Sequence, residues 1–172
     1  LMLAGVLILA GVGVNGLAAS QAYSMLHFDD GPARTAPPEQ LNPLQRLRVL
    51  VTGVRLPRPR AHTTPRALGL PHEDIHLPAP AGETLAAWHI PTVPASNVVL
   101  LFHGYGAEKS SLLEEARQFY QLGYGVVLVD FRGVGDSSGS GTTLGFREAE
   151  DVRSSVNWVR AQLRPGRLIL YG

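Results

Sequence analysis

From His72 onward, short continuous apolar runs alternate with stretches whose apolar residues recur at helical spacing. Glu73 to Leu77 and Glu83 to Ile90 read as strands, with Leu85 and Ala87 alternating on the second. The turn cluster Pro78-Ala79-Pro80-Ala81-Gly82 joins them, so an antiparallel hairpin is expected. Asn97 to Phe102, Gly125 to Val129 and Arg167 to Tyr171 are the continuous apolar runs. Between the first two, Ser110 to Leu122 sets Leu112, Leu113, Ala116, Phe119 and Tyr120 on one helical face, and Gly123 ends it. A longer helix is marked by Phe146, Ala149, Val152, Val156, Val159 and Leu163 and stopped by Pro165 and Gly166. Apolar runs alternating with amphipathic helices predict an α/β class, a mostly parallel sheet covered on both faces and opening with an antiparallel hairpin.

The first segment has a different pattern. Residues 1–28 carry no charge with His27 neutral, and the first twenty are almost all Leu, Val, Ile, Ala and Gly. A helix of that length spans about 30 Å, the thickness of the hydrocarbon core, so a transmembrane anchor is expected. Ser20-Gln21-Ala22 offers the alternative of signal cleavage and export. Asp29, Asp30, Arg34 and Glu39 follow without a positive excess, which places the globular part on the non-cytoplasmic side. Gly11, Gly13 and Gly16 spell G-x-G-x-x-G, but Leu17 to Phe28 leaves no room for the helix and strand a dinucleotide site needs.

Residues 29–71 form a basic, proline-rich connector, in which seven arginines (34, 46, 48, 55, 58, 60 and 66) face one glutamate, Glu39, from residue 31 onward. Asn42 to Thr52 reads as a short helix, with Asn42 as N-cap, Pro43 at its first position and Gly53 after its end. Its stripe Leu44, Leu47 and Val51 fits either of two roles, resting on anionic lipid headgroups or packing on the main domain. The expected organisation is thus 1–28, 29–71 and 72–172.

Composition narrows the function. With no cysteine among 172 residues, a disulfide framework and thiolate-bound metals are excluded. A net charge of +1 argues against a nucleic-acid partner, which requires many phosphate contacts. Lys109 is the one lysine beside fourteen arginines, a skew typical of GC-rich bacterial genomes. His72 and His76 lie on a strand pattern, where four-residue spacing does not make the paired ligands it makes on a helix, so no metal is expected.

Three motifs sit at the carboxyl ends of the apolar runs, where ligands bind in such sheets. They are Leu100-Leu101-Phe102-His103-Gly104-Tyr105-Gly106, Asp130-Phe131-Arg132-Gly133-Val134-Gly135-Asp136-Ser137, and Leu168-Ile169-Leu170-Tyr171-Gly172. In order and spacing, residues 72–172 resemble the N-terminal half of an alpha/beta-hydrolase, in the serine hydrolase branch that includes membrane-anchored esterases, thioesterases and serine aminopeptidases. The resemblance implies that His103, Gly104 and Gly106 shape an oxyanion loop in which Tyr105 offers its backbone N–H to the developing charge. The His103 imidazole is expected to be a satisfied, buried group and not the catalytic base. The 130–137 loop is expected to be mainly architectural, anchored by Asp130 and Arg132.

Gly135-Asp136-Ser137-Ser138-Gly139 matches G-x-S-x-G, the pattern of a nucleophile elbow. An elbow requires a strand running directly into the turn and a helix leaving it, and Ser137 has neither. The elbow is expected after Arg167 to Tyr171, with Gly172 as its first glycine. In the family's chain order the acid and base follow the serine, so the triad Ser, Asp and His are expected to be absent from these residues. The function implied is a serine hydrolase of ester, thioester or peptide bonds acting through an acyl-enzyme, without a cofactor, on a small-molecule or acyl substrate. The alternative is a non-catalytic, membrane-tethered binding or scaffold module derived from a hydrolase.

Overall fold

A computed structural model describes residues 2–93 and 97–172; Leu1 and residues 94–96 lie outside the described residues. The chain divides into two compact units, Leu1–Pro57 and Arg58–Gly172.

In the first unit, helix α1 (Met2–Leu26) is 25 residues long with no buried residue. It is long and apolar enough to cross a membrane, with a mean hydropathy of 2.0, a property signal sequences share. Gly11, Gly13 and Gly16 all lie inside this uninterrupted helix, so no strand-to-helix turn exists there to hold a pyrophosphate. Helix α2 (Pro43–Thr52) opens on a capping box. Asn42 Oδ1 accepts the Gln45 N–H at 2.8 Å, and Gln45 Oε1 accepts the Asn42 N–H at 2.9 Å. At the other end the Gly53 N–H donates to the Val49 carbonyl at 2.8 Å, and Gln21 Nε2 of α1 donates to the carbonyls of Val49 (3.0 Å) and Leu50 (2.6 Å). Gly53 follows with φ +85°, and a Cβ there would lie 2.3 Å from Ser24 Oγ, so only glycine fits this stop.

The second unit is a five-stranded sheet with helices on both faces. The strands are β1 (Glu73–Pro78), β2 (Thr84–Ile90), β3 (Asn97–Phe102), β4 (Gly125–Val129) and β5 (Arg167–Tyr171). Their spatial order is β1-β2-β4-β3-β5. Strand β2 runs antiparallel to both β1 and β4, whereas β3 runs parallel to β4 and to β5. This is the α/β sheet with an antiparallel start that the hydrophobic pattern predicts, preceded by an apolar helix.

The alternation of strand side chains divides the core in two. Val99 and Leu101 of β3, with Val126 and Leu128 of β4 and Trp88 and Ile90 of β2, pack on one face with Leu113 and Ala116 of helix α3 (Leu113–Gln121). Val98, Leu100 and Phe102, with Val127, Val129, Leu85 and Ala87, pack on the other with Val159 of helix α4 (Glu148–Gln162). Because both faces are covered, β3 and β4 read as unbroken apolar runs.

One helix boundary departs from the pattern. Phe146 is expected on the apolar face of α4, but it precedes the helix and is 81% exposed. The turn before α4 folds around the Glu148 carboxylate, which accepts the hydroxyls of Thr142 and Thr143 (both 2.7 Å) and the N–H groups of Thr143 (2.9 Å) and Gly145 (2.8 Å). Four bonds to one buried carboxylate outweigh burying one phenyl ring.

Candidate active site

The parallel strands β3, β4 and β5 end on one edge: Phe102 pairs with Val129, and Leu101 with Tyr171. The loops opening at His103 and Asp130 therefore share an edge with Gly172. A Cβ on Gly172 would lie 3.2 Å from the Phe102 carbonyl oxygen, so the end of β5 touches the start of the His103 loop.

His103 ties two of these loops together. It is 5% exposed. Its Nε2 accepts the Phe131 N–H at 3.1 Å, which requires an unprotonated nitrogen there, so the proton sits on Nδ1 and is donated to the Gly104 carbonyl at 2.9 Å. Burial lowers its pKa below the ordinary histidine value, against the opposing pull of the Gly104 carbonyl and Asp130, and the neutral tautomer matches both bonds.

The Gly104 carbonyl accepts a second bond, from Ala107 N–H at 3.2 Å, closing a β-turn. Gly106 is the third residue of that turn, with φ +71°, a left-handed value suited to glycine. Gly104 C=O and Tyr105 N–H belong to one peptide unit, and in a trans peptide they point oppositely. Two bonds on the carbonyl thus fix the direction of the N–H. The Tyr105 side chain is 52% exposed, and Gly104 and Gly106 are also on the surface.

Beneath this loop lies a buried ion pair. Asp130, fully buried, accepts Lys109 N–H at 2.7 Å on Oδ1 and Lys109 Nζ at 2.5 Å on Oδ2. The Lys109 ammonium, 2% exposed, also sits 4.7 Å from the centroid of the Trp88 ring. Gly135 closes over this pair with φ +55°; a Cβ there would fall 1.8 Å from Asp130 Oδ2. Arg132, also buried, reaches Asp151 at 2.6 Å and Glu83 at 2.9 Å. The hydrogen bonds of Asp151, outweighing the opposing effect of burial, push its pKa above the usual arginine value. These contacts make the 130–137 loop rigid.

Ser137 lies inside that rigid loop. Its hydroxyl, 3% exposed, donates to the Asp130 carbonyl at 2.8 Å and accepts the Ala86 N–H at 2.9 Å. Neither a strand nor a helix adjoins it directly. Arg58, in the stretch the sequence reads as connector, reinforces the loop by donating to the carbonyls of Gly135 and Gly139, both at 2.9 Å, and of Ser137.

Lys109 and Glu148 were not legible as partners in the sequence. Lys109 binds Asp130, 21 residues away, and the signal would have been a lone lysine amid arginines. A cavity of about 460 Å³ between the β1–β2 turn and α4 is lined by Pro78, Pro80, Asn157 and Trp158, with none of residues 103–106 or Gly172. Among the described residues, no group of three His, Asp or Glu side chains is placed to hold a metal ion.

Comparison with known proteins agrees with this architecture. The alpha/beta hydrolase fold family matches residues 97–172. The uncharacterized protein YfhR of Escherichia coli is 30% identical over 107 residues, covering 58% of this chain and 37% of that protein. Among solved structures, the Pyrococcus furiosus esterase Pf2001 superposes with a TM-score of 0.60 at 26% identity, over 66% of this chain and 47% of the esterase. The alpha/beta hydrolase GrgF of a Penicillium species superposes with a TM-score of 0.52 at 26% identity, over 60% and 37% of the two chains. The chain therefore spans about a third of that curated relative and about half of the esterase. It belongs to the alpha/beta-hydrolase superfamily.

Proposed function

We propose that the whole protein is a membrane-tethered serine hydrolase that cleaves ester, thioester or peptide bonds through an acyl-enzyme, and that these residues supply the oxyanion side of its site. The adjacency of Gly172 to Phe102 carries the reading, because the loop that bears Tyr105 opens at the next residue, His103, on the edge where an elbow serine belongs. Attack on an acyl carbonyl builds negative charge on its oxygen, and a preorganised backbone N–H stabilises that charge without reorganising. Tyr105 N–H is that donor. The nucleophile is a serine in the turn after β5, two positions beyond Gly172, with the acid and base later in the chain. Ser137, Asp130 and His103 take none of these roles, since each is committed to bonds within the loops. Likeness to an esterase supports acyl transfer as the chemistry.

Helix α1 tethers the protein with its globular part on the non-cytoplasmic side. Retention of α1 is favoured over signal cleavage because Gln21, inside the Ser20-Gln21-Ala22 cleavage candidate, bonds α2.

The test is ester turnover by the whole protein with two substitutions at one position. Tyr105→Phe keeps the N–H and is expected to leave kcat unchanged, whereas Tyr105→Pro removes it and is expected to lower kcat about 100 to 1,000-fold. Equal activity in both would contradict the assignment.

A further inference from the structure

Helix α2 carries an apolar face with nothing packed on it among the described residues. Leu44, Leu47, Leu50 and Val51 are 76%, 57%, 54% and 56% exposed, and no residue of the helix is buried. At about 100° per residue these four fall within an arc of about 120°, with Arg48 on one flank and Arg46 on the other. Val49, half-buried, lies on the opposite side. An apolar stripe bordered by arginines suits a bilayer interface, where the stripe enters the acyl boundary and the guanidinium groups reach headgroup phosphates.

The position of α2 relative to α1 points to the same surface. The three carbonyls at its end receive side chains of α1: Val49 and Leu50 from Gln21, and Val51 from Ser20 at 3.4 Å. Ser20, Gln21 and Ser24 are the polar residues that close the apolar stretch of α1. The end of α2 is therefore joined to α1 where α1 ceases to be apolar, at the level of the headgroups if α1 spans. Over residues 31–71 the seven arginines against Glu39 make the surrounding segment strongly basic.

We infer that α2 is an in-plane interfacial helix that docks on the anionic lipid surface beside the anchor, Leu44, Leu47, Leu50 and Val51 inserted and Arg46 and Arg48 on lipid phosphates. The inference rests on the membrane tether proposed above and adds a second membrane contact with a lipid preference.

Residues 1–172 hold no cysteine, so a cysteine introduced among them is the only one in this segment. The full chain, reconstituted in vesicles of phosphatidylcholine with or without phosphatidylglycerol, is labelled with an environment-sensitive fluorophore at Val12→Cys, Leu47→Cys or Gln45→Cys. Brominated acyl chains serve as the quencher. The Val12 label reports the tether and is expected to be quenched in both vesicle types. The Leu47 label is expected to be quenched at least about twofold more than the Gln45 label in anionic vesicles. Arg46→Gln and Arg48→Gln are each expected to lower the docked-to-undocked ratio about fivefold. Quenching at Val12 with none at Leu47 would overturn the interfacial helix and leave the tether standing. No quenching at either would overturn both. A Leu47 label shielded from water yet unquenched by brominated lipid would show that protein covers the stripe, and would also overturn the inference.

Discussion

His103 donates its Nδ1 proton to the Gly104 carbonyl at 2.9 Å, so one imidazole sets the peptide whose other end is the Tyr105 N–H. Through Nε2 the same ring is fixed to Phe131 at 3.1 Å, in the loop after β4. His103 is thereby a positioning residue for the proposed oxyanion donor. In the whole protein, His103→Leu is expected to lower kcat about tenfold, the worth of roughly one oriented hydrogen bond, with KM little changed. His103→Asn, whose amide can replace the Nδ1 donor, is expected to recover part of that loss. Equal rates in the wild type and the Leu variant would contradict the role.

The neutral state of His103 also sets a pH dependence. Its folded pKa lies below the 6.5 of the unfolded chain, so on acidification the unfolded state takes up the proton first. This contribution is complete above pH 6.5 and is lost as pH falls toward the folded pKa. Denaturant midpoints measured across that range are expected to drop for the wild type, with a smaller drop for His103→Asn.

Glu148 acts in a lower window. Burial works to raise its pKa, but the Thr143 and Thr142 hydroxyls and backbone N–H groups prevail and hold it at about 2. Its stabilisation is present above the ordinary value of 4.5 and is lost as pH falls toward 2, amounting to about 3 kcal/mol at most. Glu148→Gln is expected to flatten the stability profile between those limits and to fray the start of α4, seen as faster amide exchange at residues 145–150.

The Lys109–Asp130 pair is expected to be the most sensitive point under the loops. Removing one partner leaves an uncompensated buried charge, so Lys109→Met should cost about 3–5 kcal/mol in chemical denaturation. The double variant Lys109→Met with Asp130→Leu should recover part of that loss. Gly135→Ala is expected to be comparably damaging, because its Cβ would overlap Asp130 Oδ2.

How much could be read in advance follows from where the information resides. Strands β3 and β4 are legible in the sequence because strands covered on both faces are apolar along nearly their whole length, β5 is legible from its short apolar run, and the hairpin from its proline-glycine turn. The start of α4 is not legible in the sequence, because Phe146 fits the helical period, whereas the bonds of Glu148 to Thr142 and Thr143 are specified by local geometry that periodicity does not register. For the site, the motifs located the loops and their common edge. The Lys109–Asp130 pair and the Arg58 contacts to Gly135 and Gly139 join residues 21 to 81 positions apart, which only the folded topology brings together.

The placement of the nucleophile is tested most directly by labelling the whole protein with a fluorophosphonate and mapping the modified serine by mass spectrometry. Modification is expected at a serine in the turn immediately after β5, two positions beyond Gly172, and not at Ser137. A phosphonylated Ser137 would contradict it.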